Sequence, residues 1–198
     1  MKPIIAIVTL YDEKLESYWM LPGYAQGLEE AGAAPVVLPL TSDPAALERY
    51  AHTFDGFLFP GGHDLAPSLY GEEPSEKCGT VIPQRDSMEQ AFFPLALATR
   101  KPLLGICLGM QLLLEKSFEY GEHKGLGLIP GEVRPIREVI PEGLKVPHIG
   151  WNALALTQEG RACGLFKNTK EGDCVYFVHS YWAASPAPYV LAAAEYGA

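Results

Sequence analysis

The sequence predicts an α/β fold of three layers, a parallel or mixed sheet flanked by helices. Two continuous apolar runs rich in β-branched residues, at 4–10 (IIAIVTL) and 34–40, suit strands buried on both faces of a parallel sheet. Segments of near-helical period lie between such runs, and that alternation builds βαβ units with right-handed crossovers. A glycine-flanked strand-turn-helix at 102–111 completes the pattern. With 198 residues, 48% of them hydrophobic and 20% charged, the chain is long enough to bury a core and fits one domain over 1–198.

After the first strand, Trp19, Tyr24, Leu28 and Ala31 recur at near-helical spacing with Glu29 and Glu30 outside. This predicts a helix from Ser17, stopped by Gly32. Asp43-Pro44 caps a second helix running to about His52, and 55–60 (DGFLFP) is a third buried strand. Residues 61–83 form a long polar segment without period, a length that usually serves function. A helix is predicted over 85–99, a strand over 103–106 and a helix over 109–116. Beyond Tyr120 the short segments 126–129, 132–136, 153–157 and 174–178 are separated by Gly, Pro and Asn. They read as an antiparallel or mixed extension of the sheet.

Composition excludes several classes of function. Fifteen Lys and Arg against 24 Asp and Glu give a net charge of −9, which argues against a nucleic-acid partner. No apolar run approaches the ~20 residues that span a bilayer, so no membrane partner is expected. Asp12 and Glu13 stand where a signal peptide needs a small-residue cleavage site, and a cytoplasmic location is expected. Cys78, Cys107, Cys163 and Cys174 are never two or three apart, so they read as reduced thiols. The five histidines are scattered and no carboxylates pair at ligand spacing, so no metal is expected. Thr9-Leu10-Tyr11-Asp12, after the first strand, lacks the glycines of a phosphate loop, and no cofactor is expected.

The strongest local signal is Gly105-x-Cys107-x-Gly109 between a buried strand and a helix, a nucleophile-elbow pattern with cysteine as nucleophile. A sharp strand-to-helix turn crowds the backbone, so glycine is needed on either side. The turn would hold the Cys107 sulfur beside a helix N-terminus, where dipole and free amides favour thiolate. The Leu108 N–H would face an oxyanion on the attacked carbonyl. Phe59-Pro60-Gly61-Gly62-His63-Asp64, after the third strand, would turn a second amide toward the same place. The bland readings are a structural cysteine and an ordinary Gly-Gly turn.

With these segments assembled, the chain resembles the class I glutamine amidotransferase superfamily, which has a flavodoxin-like sheet. Its N-terminal half is similar to γ-glutamyl-GABA hydrolase-like (peptidase C26) proteins. That similarity rests on Pro22-Gly23-Tyr24, residues 59–64, residues 67–71, Arg85-Asp86 and Glu89. From Gly105 onward the chain resembles the glutaminase subunit of imidazole glycerol phosphate synthase. Here the match is 105–113, 124–131, Pro147-His-Ile-Gly-Trp-Asn152, Tyr176-Phe-Val-His-Ser-Tyr181 and Glu195-Tyr-Gly.

The resemblance implies cysteine-dependent hydrolysis of a γ-glutamyl amide, glutamine or a γ-glutamyl amine, through a thioester. Carried over residue by residue, Cys107 is the nucleophile and Gly62 with Leu108 make the oxyanion hole. Gln111, Glu119, Ser180 and Tyr181 match substrate-binding positions, and Trp151 with Asn152 match a segment facing a synthase partner. Three of these have a plainer reading: Gln111 as a helix residue, Glu119 as a solvated carboxylate and Trp151 as a core tryptophan.

One motif departs from the pattern. The superfamily's general base and its orienting carboxylate sit in a His-Pro-Glu segment, and none occurs in these 198 residues. The expectation is therefore a fold lacking its last strand and helix, with weak or no activity, and His179 is the one substitute base considered. The alternatives are an ammonia-supplying glutaminase subunit for a synthase partner in histidine biosynthesis, and a non-catalytic, truncated or engineered version of the fold.

Overall fold

In the computed structural model the described residues are 1–64, 66, 79–119 and 121–197, and they form two compact units, Met1–Met110 and Gln111–Ala198. The first holds a four-stranded parallel sheet. In chain order its elements are β1 (Ile4–Val8), β2 (Leu10–Asp12), β3 (Ser17–Trp19), α1 (Pro22–Glu30), β4 (Ala34–Leu38), α2 (Pro44–Thr53), β5 (Gly56–Phe59), α3 (Pro83–Ala98), β6 (Leu103–Gly105) and α4 (Leu108–Gln111). The sheet order is β4-β1-β5-β6, with every neighbouring pair parallel. The predicted α/β class and its alternating strands and helices are borne out.

Burial follows sheet position. All four residues of β5 are buried, as are Ala6, Ile7 and Val8 of β1, because these strands are central and covered on both faces. β4 was expected to be buried likewise, but it is an edge strand, and Val36 and Val37 are exposed. Helix α3 covers β5 through Phe92, which is 0% exposed and meets Phe57 edge-on at 5.5 Å and Phe59 at 6.0 Å. Burying one such ring contributes roughly 2–3 kcal/mol. Asp43 caps α2 by accepting from the Ala45 amide at 3.0 Å. At the other end of α2, Lys101 donates to the carbonyls of Ala51, His52 and Phe54, satisfying last-turn acceptors that the helix leaves open.

Two helix boundaries differ from expectation. The stretch from Ser17 is not helical: Ser17–Trp19 pairs antiparallel with Leu10–Asp12, and α1 starts only at Pro22. Trp19 precedes Tyr24 by five residues, which is off the helical step, and the Asp12 carboxylate accepts the Lys14 and Leu15 amides to shape a hairpin turn. The helix expected over 109–116 is the four-residue α4. The Leu114 amide donates to the Gln111 carbonyl three residues back, and the Glu115 amide donates to the Gly131 carbonyl at 3.0 Å, so neither continues the four-residue ladder of the helix.

The second unit contains β7 (Lys116–Ser117), β8 (His123–Lys124), β9 (Glu132–Pro135), β10 (His148–Ala153), β11 (Ala155–Leu156), α5 (Gln158–Ala162), β12 (Cys174–His179), β13 (Tyr181–Ala184) and β14 (Ala192–Ala193). Among its described pairs only β7 with β9 is parallel, in the order β13-β9-β7-β8. The ribbons β10-β12 and β11-β14 are antiparallel. That is the mixed extension the sequence predicts, although residues 126–129 form no strand and β10 was not foreseen as one. Leu114, Val133 and Ile136 are its most buried apolar side chains.

Candidate active site

Cys107 lies between β6 and α4 with φ 56, in the left-handed region that a non-glycine side chain seldom adopts. The turn is braced on both sides: the Ile106 amide donates to the Phe59 carbonyl at 3.0 Å, and the Met110 amide donates to the Cys107 carbonyl at 3.0 Å. The flanking glycines have the role that the sequence suggested. A Cβ on Gly105 would collide with the Gly109 carbonyl and lie 2.8 Å from the Met110 nitrogen. One on Gly109 would stand 2.6 Å from the Phe59 carbonyl oxygen. The result is a solvent-exposed thiol on a strained turn, not a buried structural cysteine.

The end of β5 packs directly on this turn. A Cβ on Gly61 would lie 2.6 Å from the Cys107 Cβ and 3.3 Å from its Sγ. Gly62 follows with φ 125, which only glycine adopts readily. Among the described residues, neither the Gly62 nor the Leu108 amide has a backbone acceptor. The first belongs to the turn after β5 and the second directly follows Cys107. The four residues of α4 supply one turn of aligned peptides, so the dipole expected of a longer helix is reduced to these amides.

Beneath the Gly-Gly turn lies a buried ionic cluster. Arg85 is 3% exposed; its Nη2 donates to the Pro60 carbonyl at 2.6 Å and its Nη1 to the Gly61 carbonyl at 3.4 Å. Its Nε donates to Glu89 Oε1 at 2.7 Å, one helical turn on. Burial pushes the Glu89 carboxyl above its ordinary range, opposed by the Arg85 charge. Asp86 is also raised by burial, opposed first by its hydrogen bond from the Ala66 amide and then by Arg85. His63 is pushed down by burial and by Arg85, whose Nη1 lies 3.5 Å from its Nδ1. The Tyr24 phenol is raised by burial first and then by Cys107, opposed by Arg85.

In the second unit Gln111 ends α4, Glu119 follows β7, and Ser180 joins β12 to β13, which starts at Tyr181. The Ser180 carbonyl accepts from the Ile136 amide at 2.9 Å. His179 is fully engaged: Nδ1 lies 2.8 Å from the Tyr181 carbonyl and Nε2 lies 2.9 Å from His148 Nδ1. His148, 3% exposed, completes its bonding with Asn152 Oδ1 at 2.8 Å and stacks on Tyr196 at 3.9 Å. Asn152 Nδ2 donates to the Glu195 carbonyl. Trp151 is 70% exposed and pairs with Tyr176 across the ribbon at 5.4 Å. Residues 67–71, part of the resemblance, lie outside the described residues.

The structure thus brings Cys107, Gly62 and Leu108 into one unit with Tyr24, Arg85 and Glu89, for which the sequence suggested no role. The Arg85–Glu89 spacing of four on a predicted helix was the available signal. Among the described residues, no cluster of His, Cys, Asp and Glu could hold a metal ion, and no helix is long and apolar enough to cross a membrane.

An exposed cysteine on a glycine-braced elbow thus stands at the C-terminal edge of the parallel sheet of an α/β fold. A family model for peptidase C26 matches residues 3–116, and the chain belongs to that family within the class I glutamine amidotransferases. It is 52% identical over 144 residues to imidazole glycerol phosphate synthase subunit HisH of Streptococcus gordonii, covering 72% of this chain and 60% of the relative. It is 39% identical over 172 residues to HisH of Synechococcus elongatus, covering 85% and 66%. The chain spans about half the length of the curated relatives it matches. The glutaminase domain of Trypanosoma brucei CTPS with bound acivicin shares the fold, with a TM-score of 0.52 at 15% identity over 92% of this chain and 68% of that one.

Proposed function

We propose that Cys107 is the nucleophile of a glutaminase whose ammonia serves a synthase partner. The observation that carries the chemistry is the strained, exposed Cys107 seated against Gly61. The likeness to HisH chains, 52% over 144 residues, favours glutamine as the amide and an imidazole glycerol phosphate synthase subunit as the partner. In this reading the Cys107 thiolate adds to the side-chain amide carbon of glutamine. The carbonyl electrons move onto oxygen, which takes hydrogen bonds from the Gly62 and Leu108 amides. Collapse expels the nitrogen, protonated, as ammonia and leaves a γ-glutamyl thioester, which water hydrolyses to glutamate and the free thiol. The family resemblance gives Gln111, Glu119, Ser180 and Tyr181 to the amino-acid end of the substrate, and the exposed Trp151 to a partner-facing segment.

The step that these residues serve least is proton transfer. No His-Pro-Glu occurs in the 198 residues, and both ring nitrogens of His179 are engaged. General-base assistance is worth typically ~10²–10⁴-fold, so the 198-residue chain alone hydrolyses glutamine slowly. A normal rate of glutamine hydrolysis, lost in His179→Ala, would instead make His179 the base.

A second reading, a stand-alone hydrolase of γ-glutamyl amines, is favoured by the peptidase C26 match over residues 3–116. The two part on one experiment. Ammonia release from glutamine is measured with and without the partner subunit of an imidazole glycerol phosphate synthase. Stimulation by that subunit supports the glutaminase reading; no stimulation, with turnover of γ-glutamyl-aminobutyrate, supports the second.

A further inference from the structure

Nothing in the cysteine chemistry itself requires a buried arginine, yet one lies under the Gly-Gly turn. A buried ion pair is seldom a net source of stability, because desolvating two charges offsets their attraction. Arg85 and Glu89 are 3% and 8% exposed, and the pair joins at 2.7 Å. What distinguishes Arg85 is where its other donors go. Among the described residues they reach two consecutive main-chain carbonyls, Pro60 at 2.6 Å and Gly61 at 3.4 Å, at the end of β5.

Those carbonyls control the orientation of an amide. In a planar trans peptide the C=O and the next N–H point in opposite directions. A guanidinium gripping the Gly61 oxygen therefore directs the Gly62 N–H away from Arg85. Gly61 is the residue whose backbone lies against the Cys107 sulfur, and Gly62 at φ 125 has little steric preference of its own. A Gly-Gly turn left to itself would populate several peptide orientations. On the other face Leu10 limits the turn: a Cβ on Gly62 would meet its Cδ2 at 3.0 Å.

We propose that Arg85, locked by Glu89, is the positioning residue of the oxyanion hole, holding the Pro60 and Gly61 carbonyls so that the Gly62 amide is fixed toward the reacting carbonyl of the substrate. The inference rests on the reading of Cys107 as a γ-glutamyl nucleophile. Arg85 touches no reacting atom, and its effect is confined to steps in which negative charge develops on oxygen. Lysine cannot replace it, because a single ammonium lacks the fork that spans two carbonyls and a carboxylate together.

The test compares two reagents on Cys107 of the 198-residue chain. The thiolate adds to the ketone carbon of the diazoketone analogue of glutamine (diazo-oxo-norleucine) and places charge on oxygen. The diazo carbon takes a proton from water, and sulfur then moves to that carbon as dinitrogen leaves and the ketone re-forms, giving a stable thioether. Iodoacetamide reacts by displacing iodide and develops no oxyanion. In Arg85→Lys, which keeps the positive charge, the iodoacetamide rate should stay within about twofold of the parent. The diazoketone rate should fall by at least ~10-fold, toward the ~10²–10³-fold cost of losing one oxyanion donor. Glu89→Gln should lower the same ratio by a smaller factor, and it decides the matter if Arg85→Lys does not fold by circular dichroism. An unchanged ratio in the folded variants, or an equal fall with both reagents, overturns the proposal and leaves Arg85 a purely structural anchor. Failure of the parent chain to react with the diazoketone at all would overturn the reading of Cys107 instead.

Discussion

Gly61 and Cys107 are in such close contact that only hydrogen fits between them: a Cβ on Gly61 would stand 2.6 Å from that of Cys107. The elbow after β6 is thus shaped by the end of β5 as much as by its own glycines. Gly61→Ala should displace the turn, and overpacking of this kind costs typically about 1–3 kcal/mol. The expected outcome is a lower urea midpoint together with at least ~10-fold slower alkylation of Cys107. Parent-like stability and reactivity would mean that the contact is slack.

Phe92 is the largest single test of the first unit's core. It is fully buried beneath β5 and touches Phe57, Phe59 and Tyr50. Phe92→Ala should cost roughly 3–5 kcal/mol, read from the equilibrium denaturation of the chain.

His63 makes stability depend on pH. Its folded-state pKa is lowered from 6.5, by burial first and then by Arg85. A lowered histidine favours the neutral form in the fold, so its stability is fully present above 6.5. It is lost as pH falls through 6.5, where the unfolded chain takes up the proton first. The parent should therefore lose more stability than His63→Gln over that window, in urea titrations at matched ionic strength. Parallel pH profiles would show that His63 is not the group responsible.

In the second unit Asn152 joins two segments: its Oδ1 lies 2.8 Å from His148 Nε2 and its Nδ2 donates to the Glu195 carbonyl. Asn152→Ala leaves a buried imidazole nitrogen and a carbonyl without these partners. The expected cost is about 1–3 kcal/mol, measured by thermal unfolding, with Cys107 alkylation unaffected.

The fold was legible where burial decides structure. The runs at β1 and β5 read as central strands because nothing polar interrupts them, and Asp43-Pro44 marked the start of α2 to the residue. It was less legible where long-range bonds override local pattern. α4 stops early because the Glu115 amide turns to the Gly131 carbonyl, a distant partner that no local period reveals. β3 was misread as helix because an Asp12-centred hairpin turn outweighs an imperfect apolar spacing. At the candidate site, Cys107 and its glycines carry a strong signature, since crowding permits few residue types. Arg85 does not, because its partners are main-chain carbonyls 24 and 25 residues away, which no side-chain motif encodes.

The central claim, that Cys107 is a glutamine-directed nucleophile, is tested most directly by mapping modification with acivicin, a glutamine-shaped electrophile. The 198-residue chain holds four cysteines, so selectivity can be read by peptide mass mapping. The account predicts one adduct, on Cys107, forming at least ~10-fold faster than on Cys78, Cys163 or Cys174, slowed by added glutamine and absent in Cys107→Ser. Equal labelling of the four cysteines, or a Cys107 adduct that glutamine does not slow, would contradict it.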